Sequence, residues 1–180
     1  MTFRRTFVAS AIAAMALCST LGAQAQNIVL KATDTHPAGY PTVVAVESMG
    51  KKLEAATNGR IKMQMFPGAV LGQEKEAVEQ AQIGAVQIVR ISLGVVGPVV
   101  PEVNVFNMPF VFRNIAHMRA VIDGPIGQEL LDKISASPAR LVGLAWTENG
   151  FRHMTNNKRA IVQASDASGL KMRTMENKVH

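Results

Sequence analysis

Residues 27–91 read NIVLKATDTHPAGYPTVVAVESMGKKLEAATNGRIKMQMFPGAVLGQEKEAVEQAQIGAVQIVRI, and in this stretch short β-like runs alternate with amphipathic ones. Residues 28–33 form the first strand-like run. Residues 42–57 then place Val43, Val46, Met49, Leu53 and Ala56 near helical spacing, and Asn58-Gly59 supplies a left-handed stop. Residues 61–66 alternate as a strand and halt at Pro67-Gly68. A second helix is predicted from Gln73 to Ile83, ended by Gly84, and residues 86–91 make an apolar run of strand length. The order β-α-β-α-β predicts an α/β fold with a mostly parallel sheet.

Farther along, residues 95–101 read as a connector broken by Gly and Pro, and residues 103–112 as an extended apolar stretch interrupted by Pro109. Two short helices are predicted at 115–122 and 125–135, with Gly124 between them and Pro125 suited to a first helical turn. Residues 140–146 and 151–155 read as strands. Residues 165–169 read as a turn or short helix before the run 170–173.

The N-terminus sets an expectation about compartment. Arg4 and Arg5 precede an alanine-rich apolar run over residues 7–21, and Ala23-Gln24-Ala25 offers small residues at both cleavage positions. Residues 1–26 therefore read as an export signal cleaved near Ala25, by a general or a twin-arginine route. The only cysteine, Cys18, lies inside that segment, which excludes disulfides and thiolate chemistry from the mature chain. The 180 residues less these 26 leave 154, and 17 basic against 13 acidic groups leave a charge of +4. This mild basicity suits an anionic small ligand and, without basic runs interleaved with aromatics, gives no support to nucleic-acid binding.

Dinucleotide, P-loop and nucleophile-elbow motifs do not occur, and His36, His117, His153 and His180 lack metal-ligand spacing. The reading is therefore of no catalytic residues, no metal and no cofactor. Glu74, Glu76 and Glu79 share a helix whose outer face is solvated, so at least two of them read as surface charge. Arg152 and Arg173 stand at or beside predicted strand ends, where α/β proteins dock ligands. A guanidinium fork binds a carboxylate through two parallel hydrogen bonds. Spacing alone also fits a surface or ion-pairing role for both. Trp146, the sole tryptophan, ends a predicted strand near Gly150 and Arg152, where either ligand contact or core packing fits.

A set of motifs spread along the chain carries a resemblance. It comprises Thr57-Asn58-Gly59-Arg60-Ile61, Phe66-Pro67-Gly68, Leu71-Gly72-Gln73-Glu74, Gln82-Ile83-Gly84 and Met108-Pro109-Phe110-Val111-Phe112. Gly150-Phe151-Arg152, Thr155-Asn156, Ser165-Asp166 and Gly169-Leu170-Lys171-Met172-Arg173 follow in order. In order and spacing the sequence resembles the DctP-type solute receptors of tripartite ATP-independent periplasmic (TRAP) transporters.

The resemblance implies a periplasmic-binding-protein-like α/β fold of two lobes that close on a small organic acid, and dicarboxylates, keto acids, aromatic acids and sugar acids all fit an arginine clamp. It implies a monomer that delivers its ligand to TRAP permease subunits, with uptake driven by an ion gradient. Arg173 matches the arginine that pairs with the ligand carboxylate, and Arg152 a second arginine lining the site. The segment around His36 and the region Glu74 to Glu76 match first-lobe surfaces facing the cleft, and Trp146, on the strand leading to Arg152, is a further candidate for ligand contact. On this reading residues 27–150 are the first lobe with part of the crossing, and 151–180 begin a second lobe left incomplete. The competing readings are an exported α/β enzyme acting on a carboxylate, and a receptor feeding a membrane sensor.

Overall fold

The computed structural model describes residues 27–151 and 153–174. Residues 1–26, read above as an export signal, Arg152 and His180 lie outside the described residues. Three strands, β1 (Ile28–Asp34), β2 (Ile61–Phe66) and β3 (Ile88–Arg90), form one wholly parallel sheet in the order β2-β1-β3. β1 is central: Ile28 pairs with Ile61 on one side, and Asp34 pairs with Arg90 on the other.

Helix α1 (Pro41–Ala56) connects β1 to β2, and α2 (Glu74–Gln82) connects β2 to β3. The expected helical face of α1 is only partly buried, and Ala56 at its end is exposed. Thr42, Val43 and Gly50 are buried, whereas Met49 is exposed. Gly50 turns inward because a Cβ there would meet the Met63 side chain at 2.4 Å, so β2 approaches the helix where the side chain is smallest. α1 ends in left-handed Asn58 and Gly59, with the Gly59 N–H donating to the Glu54 carbonyl at 2.8 Å. On α2, Ala77 and Val78 face inward and Glu74 and Glu76 occupy the first turn, where the helix dipole favours acidic groups.

Beyond the sheet come α3 (Leu93–Val96), a 3-10 helix over Pro101–Asn107, α4 (Ile115–Ile122) and α5 (Pro125–Ala136). Asn114 caps α4 by accepting from the His117 N–H at 2.8 Å. Val96, Val100, Val103 and Ile134 form a buried cluster, flanked by Leu93, Leu141 and Trp146. A last short 3-10 turn covers Ala164–Ala167.

Two sequence expectations are corrected. The stretch 103–112 is not simply extended, because Pro101 starts a 3-10 helix in which Val100 and Val103, three apart, turn to the same cluster. Asn104 reinforces it by donating to the Gly97 carbonyl at 3.3 Å. Residues 140–146 and the described part of 151–155 form no strand. A strand needs a ladder partner, and this segment lies instead against α5: Gly143 N–H donates to Ser135 Oγ at 3.0 Å and Trp146 Nε1 to the Gly127 carbonyl at 3.1 Å.

The α4–α5 junction depends on backbone contact at Gly127. A Cβ there would stand 1.9 Å from the Ile122 carbonyl oxygen, which cannot rotate away. Gly127→Ala is expected to cost about 1 to 3 kcal/mol, read as a lower urea midpoint by fluorescence of Trp146 beside the junction. An unchanged midpoint would show that the junction opens freely.

Candidate functional site

In the order β2-β1-β3 the first crossover runs from β1 out to β2 and the second returns past β1 to β3, so the carboxyl ends of β1 and β3 border a topological switch point. Open α/β sheets bind ligands in that crevice. Asp34 ends β1 and Arg90 ends β3, in register. Asp34 is 1 % exposed and Arg90 8 %. Arg90 Nη1 lies 3.6 Å from Asp34 Oδ1, 3.9 Å from Glu74 Oε1 and 3.2 Å from His36 Nδ1. Its Nε is buried without a hydrogen-bond partner.

Asp34 organises the loop that follows it. Oδ1 accepts from the His36 N–H at 2.9 Å and lies 2.7 Å from His36 Nδ1, while Oδ2 accepts from the Thr42 hydroxyl at 2.9 Å. Burial pushes the Asp34 carboxyl up. The hydrogen bonds from His36 and Thr42 and the charge of Arg90 outweigh it, and hold the group below its ordinary 3.8. The His36 ring stacks on Tyr40, with centroids 4.2 Å apart. Glu74 opens α2, and its Oε1 accepts from Ser92 N–H at 2.9 Å and Ser92 Oγ–H at 2.7 Å.

Over this framework lies a cavity of ≈ 780 Å³. One wall is made by His36, Glu74, Glu76 and Ser92 with Lys75; Asn149, Phe151, His153 and Arg173 make the other. Glu76 and Glu79 are exposed, as expected of a solvated helix face. Arg173 makes no ion pair with any described residue. The structure thus brings His36, Glu74 and Arg173 to one cavity. Trp146 is not among the lining residues: it is half-buried, edge-on to Phe106 at 5.4 Å, and packed on the valine cluster. Asp34, Arg90 and Ser92 were not singled out from the sequence. The available signal was a lone arginine in the mostly apolar run 86–91, at the end of a predicted strand.

A parallel sheet with a polar, charge-bearing cavity at its switch point defines a ligand-binding α/β protein. The chain belongs to the family described as bacterial extracellular solute-binding protein, family 7 (DctP), which matches residues 32–180. A solute-binding protein of Verminephrobacter eiseniae is 50 % identical over 137 residues, covering 76 % of this chain and 40 % of that protein. A TRAP periplasmic solute-binding protein from Pseudomonas putida F1, solved with bound D-glucuronate, is 66 % identical with a TM-score of 0.67. That match covers 68 % of this chain and 40 % of the other. Another from Polaromonas sp. JS666, bound to D-erythronate, is 49 % identical with a TM-score of 0.81, covering 86 % and 50 %. The chain therefore spans half or less of the length of these relatives.

The Asp34 geometry fixes a pH dependence. A carboxylate with a depressed folded-state pKa contributes stability that is complete above the unfolded value and lost as pH falls through the folded one. Asp34→Asn, which leaves Arg90 without its buried counter-charge, is expected to cost about 3 kcal/mol at neutral pH. The gap between the two urea midpoints is expected to close only below 3.8. A gap that widens with acid would reverse the sign assigned to this carboxyl.

Proposed function

We propose that the complete protein is the periplasmic receptor of a TRAP-type secondary transporter, which captures a small organic acid and delivers it to membrane permease subunits. The observation that carries this reading is Arg173: it stands in the same cavity as His36 and Glu74 and is not neutralised by any described residue. A guanidinium so placed receives a carboxylate through two charge-assisted hydrogen bonds. In this reading Arg152 is the second arginine of the clamp. The family match supports an exported solute binder, and the ligands named for the two solved relatives are both acids.

In the proposed mechanism the acid meets the open receptor outside the cytoplasmic membrane, after export directed by residues 1–26. Bridging groups on both walls favours the closed form over the open one, so binding shifts a population. Closure removes water and strengthens the ion pair. The closed form then docks on the permease, and an ion gradient powers release and uptake.

Catalysis is disfavoured by the commitments of the polar groups. Asp34 and His36 resemble an orienter and a base, yet the neighbouring hydroxyl, Ser92 Oγ–H, donates to Glu74 at 2.7 Å and not to His36.

In the full-length protein, Arg173→Ala is expected to weaken acid binding by about 2 to 5 kcal/mol, because a desolvated charge pair loses one partner. Lys51→Ala, on the exposed side of α1, is the control and leaves affinity unchanged. Calorimetry with D-glucuronate and D-erythronate reads both. Equal affinity for wild type and Arg173→Ala would remove this arginine from the site.

A further inference from the structure

We propose that Asn149-Gly150, in the wall of the cavity that carries Arg173, is a site of spontaneous deamidation, and that the carboxylate formed there competes with the ligand acid for Arg173. The competition rests on the reading that Arg173 receives a carboxylate; the modification itself does not.

Deamidation is fastest where glycine follows asparagine, because no Cβ obstructs the attacking backbone nitrogen and the backbone turns most readily. Two such pairs occur in the sequence, Asn58-Gly59 and Asn149-Gly150. The fold treats them differently. At the end of α1 the Gly59 N–H donates to the Glu54 carbonyl at 2.8 Å and the Asn58 N–H to the Ala55 carbonyl at 3.3 Å. The nucleophilic nitrogen is thus committed, and the backbone around it is held in the helix stop. Asn149 and Gly150 are exposed, lie in no helix or strand, and have no hydrogen-bond partner among the described residues. Glu148, one residue earlier, is anchored by Arg119 Nε at 3.1 Å and Nη2 at 2.9 Å. Past that anchor no hydrogen bond to a described residue opposes the rotation that brings the Gly150 nitrogen to the Asn149 side chain.

Water is the sole co-reactant. The Gly150 nitrogen gives its proton to solvent base and bonds to Asn149 Cγ; the Cγ–Nδ2 bond breaks, and the amide nitrogen takes up a proton from water and leaves as ammonia. Water then opens the succinimide at either carbonyl. This returns a proton to the Gly150 nitrogen and leaves aspartate or, with the main chain rerouted through Cβ, isoaspartate. No group is oxidised or reduced. Either product carries a negative charge where the amide carried none. Asn149 and Arg173 line the same cavity, and Arg173 has no counter-charge among the described residues. A carboxylate at position 149 supplies one, and the guanidinium must give it up to grip a ligand.

The test holds the full-length protein in mildly alkaline buffer while peptide mapping by mass spectrometry follows both sites. Asn149 is expected to convert roughly fivefold or more faster than Asn58, the factor by which one intramolecular hydrogen bond holds back the Gly59 nitrogen. The converted protein, separated by its added negative charge, is compared in calorimetry with the unconverted fraction, using D-glucuronate and D-erythronate. It is expected to bind whichever acid the fresh protein takes roughly tenfold more weakly, because like charges then meet at the site. Asn149→Asp is expected to reproduce that loss, and Asn149→Ser, which removes the amide without adding charge, to lose less. Asn149→Gln, whose longer side chain closes a ring more slowly, is expected to hold its own starting affinity through the incubation. The separated fraction carries the test whether or not Asn149→Asp folds. Conversion at Asn149 no faster than at Asn58, equal affinity of the two fractions, or a loss in Asn149→Ser as large as in Asn149→Asp overturns the proposal. If Arg173→Ala weakens binding in those cases, the acid-receptor reading survives; if it too is without effect, both fall. A fresh protein that binds neither acid removes that reading and the competition together.

Discussion

The contact between Arg90 and Asp34, across the register of β3 and β1, is the constraint on which the site depends. Removing two charges from water is costly, and their attraction offsets this only when further hydrogen bonds satisfy the remaining lone pairs. Asp34 meets that condition through His36 and Thr42. The same residue ties down the neighbouring loops. Its carbonyl accepts from Ala69 N–H at 3.1 Å, and the His36 carbonyl from Gly68 N–H at 2.7 Å. The loop after β2 is thereby held against the loop after β1, and Thr42 joins the first turn of α1 to the same carboxylate.

Register makes this arrangement exclusive. Side chains alternate across a strand, so a slip of one residue in β3 would send the Arg90 side chain to the opposite face of the sheet from Asp34. The apolar alternative at these two positions would fold as well or better on energetic grounds, since a buried ion pair seldom exceeds a well-packed hydrophobic one. What the charged pair adds is orientation. Arg90 approaches His36 and Glu74 as well as Asp34, so it couples the ends of β1 and β3 to the start of α2. Its orphaned Nε is a cost that an apolar residue would not carry.

Much of this was legible in the sequence where the signal is local. The two helices of the β-α-β-α-β unit follow from period and stop signals, and Asn58-Gly59 adopts the left-handed geometry expected of it. Elements that depend on distant partners were harder to read. The segment 140–146 has strand composition, yet Leu141 and Trp146 pack against the cluster that includes Ile134 of α5, and among the described residues no neighbouring strand presents a ladder to it. The site divides in the same way. His36, Glu74 and Arg173 came from the order of motifs, whereas Arg90 looked like one polar residue in an apolar run. Its meaning depends on pairing with a residue 56 positions earlier, which no window of local sequence contains.

The two walls of the cavity differ in how they are held, and this bears on how a receptor of the proposed kind gains affinity. His36, Glu74 and Ser92 sit on strand and helix ends fixed by the buried pair. The other wall is drawn from residues 149–173, whose described part has no regular structure besides Ala164–Ala167. Arg173 is exposed, so in this form its charge is screened by water. At 4 Å a unit pair is worth about 1 kcal/mol in water and about 4 kcal/mol at an effective dielectric constant of 20. A carboxylate that draws Arg173 toward the fixed wall thus gains its attraction chiefly as the cavity dries. In a receptor of the proposed kind, affinity then resides in the closed arrangement.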